Sequence, residues 1–411
     1  MNYEFFIAKR IIGNKAYKSS VSAPIIKIGI AAIAIGIIVM LIAIATGFGL
    51  QQKIRDKVVA FNGDITITNF DTNVSDESEV PISLKQDFYP KFKSVEGVTH
   101  IQGVATKFGV VRTETDFEGI VLKGVGGDYD WHYFKEFLLE GRLPNFSKEL
   151  NNEVIISQYL ANRLHFKVGE TFQTVFGKED INQLPYIRQF EIVGIYNSGF
   201  QELDEKFVLG DLRHVQRMNK WEADEVGSFE VFIDDFSQIE AKGEAIYQAI
   251  PSTLNSVTVN KKYESVFEWI NIFDSNTYGI IGIMILVAGI NMITALLVLI
   301  LERTQMIGIL KALGSTNWSI RKVFLYNATY LIGLGLLWGN VIGIGLLLVQ
   351  KQFKLVPLDP KNYYVTEAPV YISWDYILLL NVGTFLVCLL MLLIPSIIVT
   401  KISPVKAIRF D

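Results

Sequence analysis

Cysteine is nearly absent. Cys388 is the only one in 411 residues, which excludes a disulfide scaffold. The four histidines, His100, His132, His165 and His214, share no paired-ligand spacing, so a metal site is not expected. Charge is also scarce, at 19% where soluble proteins average about 25%. With aromatics at 12%, low charge excludes a disordered chain. A net charge of −4 and a pI near 5.8 leave no basic excess for nucleic acid. Gly124-Val125-Gly126-Gly127-Asp128 lacks the lysine and spacing of a phosphate loop and reads as a turn. No GxSxG nucleophile context occurs. No catalytic residue, metal or chain-bound cofactor is therefore expected.

What the chain does have is apolar residues, at 50%, with a mean hydropathy of +0.31. They are concentrated. Residues 28–52, 275–301, 323–350 and 376–400 contain no Asp, Glu, Lys or Arg. Each exceeds the roughly 20 residues needed to cross a bilayer. The first follows a basic lead and is longer than a signal-peptide core, so it reads as an uncleaved anchor. Four spans leave the lead (1–27), the segment 302–322 and the tail (401–411) on one side. All three are basic, which makes that side cytoplasmic. The other side receives 53–274 and the loop 351–375. Segment 53–274 carries a net charge of −13 and all four histidines, while the remainder carries +9.

The lead reads as a short amphipathic helix, with Phe5, Ala8 and Ile12 on one face, or as ordinary basic flanking. Leu50, Ile54, Val58 and Phe61 after the first span recur at helical spacing. So do Tyr263, Val266, Phe267, Ile270 and Phe273 before the second, and both sets predict stalk helices. Between them lie short β-type runs, such as Asp64 to Thr68, Glu153 to Ile156, Phe190 to Tyr196 and Ser228 to Ile233. Helical patterns cover Leu84 to Lys93, Ser157 to Leu164, Asp211 to Met218 and Gln238 to Ile250. The expected fold is an integral membrane protein with four transmembrane α-helices and a large α+β domain inserted between helices 1 and 2. Residues 177–188, between two strand patterns, read as a contact loop or a plain hairpin.

In the third span, Gly335, Gly339 and Gly343 form two overlapping GxxxG units, which suit close helix packing within or between chains. In segment 302–322, Met306, Ile309, Leu310 and Leu313 form an apolar stripe closed by Gly314. A helix so short can dock on a partner or lie on lipid.

This segment, Glu302-Arg303-Thr304 followed by Ile307-Gly308-Ile309-Leu310-Lys311-Ala312-Leu313-Gly314, resembles the coupling-helix signature of the FtsX-like and MacB-like ABC-transporter permeases. Gln305 and Met306 depart from it, since the family commonly has an acidic residue where Met306 stands. Further stretches resemble the lipoprotein-releasing branch, the Lol system. They are Val121 to Val125 near Glu140 to Pro144, Asn197 to Phe200 ahead of Asp204, Leu358 to Val365 with Pro369 and Trp374, and Ser403 to Arg409.

The resemblance implies a bacterial inner-membrane permease with both termini cytoplasmic and its large domain periplasmic. Glu302, Arg303 and Thr304 with Met306 to Gly314 would seat on a separate cytoplasmic ABC ATPase of the LolD kind, which would hold ATP and Mg. A second permease subunit, identical or paralogous, would complete the transporter. Leu41, Ile44, Ala45 and Phe48 of the first span, with Tyr363, Tyr364 and Ala368, match the family's lipoprotein-contact region. The tyrosines also suit an interfacial belt. Gln183, Leu184, Pro185, Tyr186, Ile187 and Arg188 fall where the family's hook would recruit a LolA-like periplasmic carrier. Two other functions within the superfamily fit less well: a MacB-like efflux permease for peptides or drugs, and an FtsX-like regulator of cell-wall hydrolases.

Overall fold

The computed structural model describes residues 3–13, 23–71, 76–146, 149–178 and 183–402. Residues 14–22 of the lead, 179–182 of the expected hook loop and the tail motif Ser403 to Arg409 lie outside them. The chain divides into two units. A helical unit comprises Met1–Leu50, Ile270–Pro357 and Glu367–Asp411, and a sheet unit comprises Gln51–Trp269 and Leu358–Thr366.

Four helices are long and apolar enough to cross a membrane, and an α+β domain is inserted between the first and second. They run Ala23–Asn62, Glu264–Glu302, Asn317–Phe353 and Trp374–Ser396. Each holds a charge-free stretch or most of one. The fourth is interrupted near Pro395, which removes a backbone donor, and a last turn follows at Ile398–Lys401. Arg321 covers this irregular point. It donates to the Leu393 carbonyl at 3.1 Å and to Ser396 Oγ at 3.0 Å.

The GxxxG face has a definite partner within the helical unit. A Cβ at Gly335 would lie 2.7 Å from Ile33 Cβ, and one at Gly339 would lie 2.7 Å from Ile37 Cβ. The third helix therefore packs its glycine face on the first helix of the same chain. Asn340 and Asn381 exchange amide hydrogen bonds of 2.6 and 3.0 Å, joining the third helix to the fourth. Such polar pairs hold helices together where water is absent.

The lead forms a helix, Tyr3–Gly13, on the start of the third spanning helix. Ala8 and Ile11 are buried against Val323. Phe5 stays 56% exposed and meets Tyr326 edge-on. The buried stripe thus differs from the expected one at Phe5. That ring meets Tyr326 edge-on and is not part of the buried cluster of Ala8, Ile11 and Val323.

The sheet unit has strands β1 (Ile65–Asn69), β2 (Ile82–Ser83), β3 (Val98–Arg112), β4 (Phe117–Val125), β5 (Leu138–Gly141) and β6 (Glu153–Ser157). After these come β7 (Thr171–Phe176), β8 (Tyr186–Tyr196), β9 (Phe207–Asp211), β10 (Glu225–Val226), β11 (Ser228–Ile233) and β12 (Leu254–Thr258). Ten form one mixed sheet in the order β12-β1-β11-β3-β4-β9-β6-β8-β5, and β7 pairs with both β3 and β8. The parallel pairs are β4 with β9 and β6 with β8. Ser157 and Asp211 cap the helices that follow β6 and β9 by accepting from Leu160 N and Arg213 N. The helix expected at Leu84 to Lys93 does not form. Pro90 removes a donor there, and Phe88 and Phe92 instead stack on each other, Phe88 meeting Phe229 edge-on.

The first long helix ends under this sheet. Leu50, Ile54, Val58 and Phe61 are all buried. Gly63, at φ +67°, stops the helix, and its N–H donates to the Val59 carbonyl. Tyr129 Oη donates to the Ala60 carbonyl, and Lys123 Nζ donates to the Phe61 carbonyl at 2.8 Å. Lys123 also pairs with Glu230 at 2.6 Å, whose other oxygen accepts from Gln102. Burial draws the Lys123 ammonium below its usual pKa, and the Glu230 carboxylate opposes that shift.

Gly339→Val should destabilise the helical unit by about 1–3 kcal/mol through overpacking. Gly345→Ala, at a position with open space around it, should be neutral. Thermal unfolding in detergent measures both. Equal stability of the two variants would contradict the close approach.

Candidate functional site

The short helix Thr304–Ala312 lies between the second and third spanning helices and is two-faced. Ile307 and Leu310 are buried in the core that also holds Phe324, Leu392 and Val399. Met306 is half-buried and packs against both that core and the cluster formed by the lead helix. The expected stripe is therefore split. Leu310 turns inward, while Ile309 is 47% and Leu313 78% exposed. Gln305 and Ala312 are also exposed. Gly314, at φ +91°, ends the segment, with its N–H on the Lys311 carbonyl. Lys311 points inward, to the carbonyls of Val399, Thr400 and Ile402, and its pKa is lowered by burial. Glu302 is exposed, and Arg303 and Thr304 are half-buried. The helix thus offers two apolar side chains outward from a base fixed to its own chain.

A second feature is an apolar cavity of about 280 Å³ in the helical unit. The first spanning helix contributes Ile44 and Phe48, the second contributes Thr277, Tyr278, Ile281 and Ile285, and the fourth contributes Tyr376, Leu380 and Thr384. Phe48 stacks on Tyr376 at 4.4 Å between ring centres. The Thr384 hydroxyl is buried without a hydrogen-bond partner. Such a wall suits a hydrocarbon chain better than a polar solute. Leu41 and Ala45 sit apart from this cavity. They are buried in a cluster with Ile37, Met40, Leu347 and Leu380, where a crevice of only about 10 Å³ remains. Residues of the second and fourth helices were not singled out from the sequence. Tyr376, the aromatic that heads the fourth charge-free run, was the available signal.

Tyr363 and Tyr364 belong to the sheet unit, while Ala368 belongs to the helical unit. Tyr364, at φ +56°, stacks on Phe200 at 4.7 Å and meets Trp269 edge-on. Its carbonyl accepts from Lys57 Nζ at 2.9 Å, and burial raises its phenol pKa. Tyr363 touches Trp269 at 6.3 Å. Phe200 is held by a tight loop in which Asp204 accepts from Ser198 Oγ and from the N–H groups of Ser198 and Gly199. Burial pushes the Asp204 carboxyl up to about 6. Two stretches separated by more than 150 residues, Asn197 to Phe200 and Leu358 to Val365, therefore form one aromatic cluster. Ala368 makes backbone bonds only, to Val356 and to the Gln350 side chain.

The stretch from Gln183 to Arg188 lies at a hairpin. Tyr186, Ile187 and Arg188 are strand residues of β8, paired with Phe176, Val175 and Thr174 of β7. Arg188 and Lys178 both lie over the Tyr186 ring, while Leu184 is 85% exposed next to Pro185. Among the described residues no group of His, Cys, Asp or Glu gathers as a metal site would.

A family model for the MacB-like periplasmic core domain matches residues 28–249, more than half of the chain. A second, for the FtsX-like permease C-terminal region, matches residues 278–404. The chain belongs to the FtsX-like and MacB-like permeases. It is similar to the lipoprotein-releasing system transmembrane protein LolE of Haemophilus influenzae, at 21% identity over 99% of both chains. It is similar to LolC of Xylella fastidiosa, at 18% identity over 92% of each. An uncharacterized ABC transporter permease of Methanocaldococcus jannaschii shares 22% over 92% of each. Among solved structures, this chain is similar to the periplasmic region of MacB from Actinobacillus actinomycetemcomitans, at 13% identity over 51% of its length and 95% of that chain, with a TM-score of 0.33. The permease is accordingly a membrane subunit of an ABC transporter and is not itself the catalytic ATPase.

Ile309→Asp or Leu313→Asp in this permease should leave the fold intact, since both side chains face outward. Co-purification with a cognate cytoplasmic ATPase should weaken at least tenfold, about 1.4 kcal/mol. Undiminished co-purification would remove this face as the docking surface.

Proposed function

We propose that this permease extracts lipoproteins from the outer leaflet of a bacterial inner membrane and passes them to a periplasmic carrier. Hydrolysis of ATP-Mg in a separate cytoplasmic ATPase drives the cycle. The observation that carries the reading is the apolar cavity lined by Ile44, Phe48 and Tyr376 in a chain similar along its length to LolC and LolE. A chain buried there avoids about 0.8 kcal/mol of exposure per methylene. A two- or three-chain anchor therefore costs on the order of tens of kcal/mol if it leaves lipid bare. Such a substrate needs an energy source on one side and a sheltering acceptor on the other.

In this reading the lead, the Thr304–Ala312 helix and the tail face the cytoplasm, and the sheet unit faces the periplasm. Ile309 and Leu313 seat in the ATPase, as exposed apolar side chains on a short fixed helix suit a groove. Leu184, exposed beside Pro185 at the β7–β8 hairpin, is the contact offered to the carrier. A second permease subunit, a copy or a paralogue, completes the transporter.

A photoreactive benzoylphenylalanine placed at Phe48 tests the cavity. In native membranes it should cross-link to an acylated lipoprotein, and the product should disappear when the lipoprotein's acylated cysteine is replaced by serine. Capture independent of acylation, or of soluble peptides and drugs instead, would favour the efflux function and overturn this one.

A further inference from the structure

Lys311 lies in the run that resembles the coupling signature, where a cation reads naturally as a contact to the ATPase. Its side chain is turned the other way. Nζ donates to the Val399 carbonyl at 2.8 Å, the Thr400 carbonyl at 3.3 Å and the Ile402 carbonyl at 2.8 Å. An ammonium has three donors, and all three are used on one target. Two of the carbonyls belong to the last turn of the fourth spanning helix, Ile398–Lys401, and the third follows it directly. Terminal carbonyls have no N–H of their own helix to accept from, and the helix dipole gives that end partial negative charge. The break near Pro395 leaves this turn short, at four residues. Around Lys311 the contact is apolar: Ile307 and Leu310 share a buried core with Val399, with Ile398 and Ile402 packed on it.

We propose that Lys311 is a positioning residue that fastens the Thr304–Ala312 helix to the end of the fourth spanning helix, so that a push received at Ile309 and Leu313 moves both together. The outward apolar pair receives force and the inward lysine hands it on. This rests on the proposed reading of the short helix as the ATPase contact. It separates Lys311 from its neighbours in function: Leu313 binds the partner, and Lys311 transmits.

The test uses the full-length chain with its ATPase in proteoliposomes holding an acylated lipoprotein, and the variants Lys311→Met and Lys311→Arg. Lys311→Met should keep ATPase co-purification and ATP hydrolysis within twofold of the parent, while lipoprotein released per ATP falls at least tenfold. Lys311→Arg, which restores charge and several donors, should stay within threefold. Loss of ATPase binding comparable to that of Leu313→Asp would make Lys311 a partner contact and overturn the proposal, as would an unchanged release per ATP. A second readout needs no transport. Spin labels at Leu313→Cys and Lys401→Cys in the permease alone should give a narrow distance distribution in the parent and Lys311→Arg backgrounds and a broad one with Lys311→Met. Equal widths would overturn the joint. If the parent releases no lipoprotein, the proposed function fails while the spin-label comparison still decides Lys311. Should Lys311→Met not accumulate, Lys311→Gln, which removes the charge and keeps two donors, is compared in its place with the same expected directions.

Discussion

A helix that ends beneath a sheet must find donors for its last carbonyls, and much of the sheet unit is arranged around that need. The Ala23–Asn62 helix cannot fray into water at Phe61, which is fully buried. Lys123 from β4 and Tyr129 from the turn after it supply the donors. Lys123 is itself buried, so it requires Glu230 on β11, and Glu230 requires Gln102 on β3. Three strands are thereby bound to one helix end by a chain of charge-assisted bonds. Removing one partner alone would strand a buried charge, which typically costs about 3–5 kcal/mol. The network therefore fixes where the helix stops and which face of the sheet meets it.

The same logic, at smaller scale, governs the helical unit. Glycines at positions 335 and 339 permit an approach that any larger residue would block. With the first and third helices so close, the apolar cavity is left to the first, second and fourth. The short helix then gains a rigid seat: Ile307 and Leu310 below, Met306 against the lead helix, Lys311 on the fourth helix's end. Met306 is one of the two departures from the coupling signature, and its side chain packs against two apolar clusters. A carboxylate there would sit half-buried beside Ala8, Ile11 and Val323 without a partner among them. The departure from the signature is thus matched by the lead helix that covers it.

The membrane helices were legible because a charge-free run of more than 20 residues is longer than a soluble core helix needs and matches the thickness of a bilayer. The strands at 65–69, 153–157 and 228–233 were legible because they alternate or run apolar between turns. Several elements were not. β3 extends over 15 residues, of which only the short run Gly109 to Val111 reads as a strand; His100, Gln102, Thr106 and Lys107 earlier in it carry no strand pattern, since their polar groups are satisfied only by distant segments. The helix read at Leu84 to Lys93 shows propensity losing to Pro90 and to a pair of stacked phenylalanines, of which Phe88 meets Phe229 edge-on. At the candidate site, periodicity found the stripe from Met306 to Leu313 but could not say which members face inward. Ile309 and Leu310 are adjacent in sequence and opposite in role. The pairing of Tyr364 with Phe200, and the turn of Lys311 toward residues 88 to 91 positions away, are tertiary facts with no local pattern to announce them.

Release of an acylated lipoprotein from proteoliposomes measures the proposed activity most directly. With the permease, its ATPase, ATP-Mg and a soluble carrier present, substrate should leave the vesicles in complex with the carrier. Omitting either ATP or the carrier should hold release at background. Equal release without ATP, or equal release of a substrate lacking its acyl chains, would contradict the assignment of this chain as a lipoprotein-extracting permease.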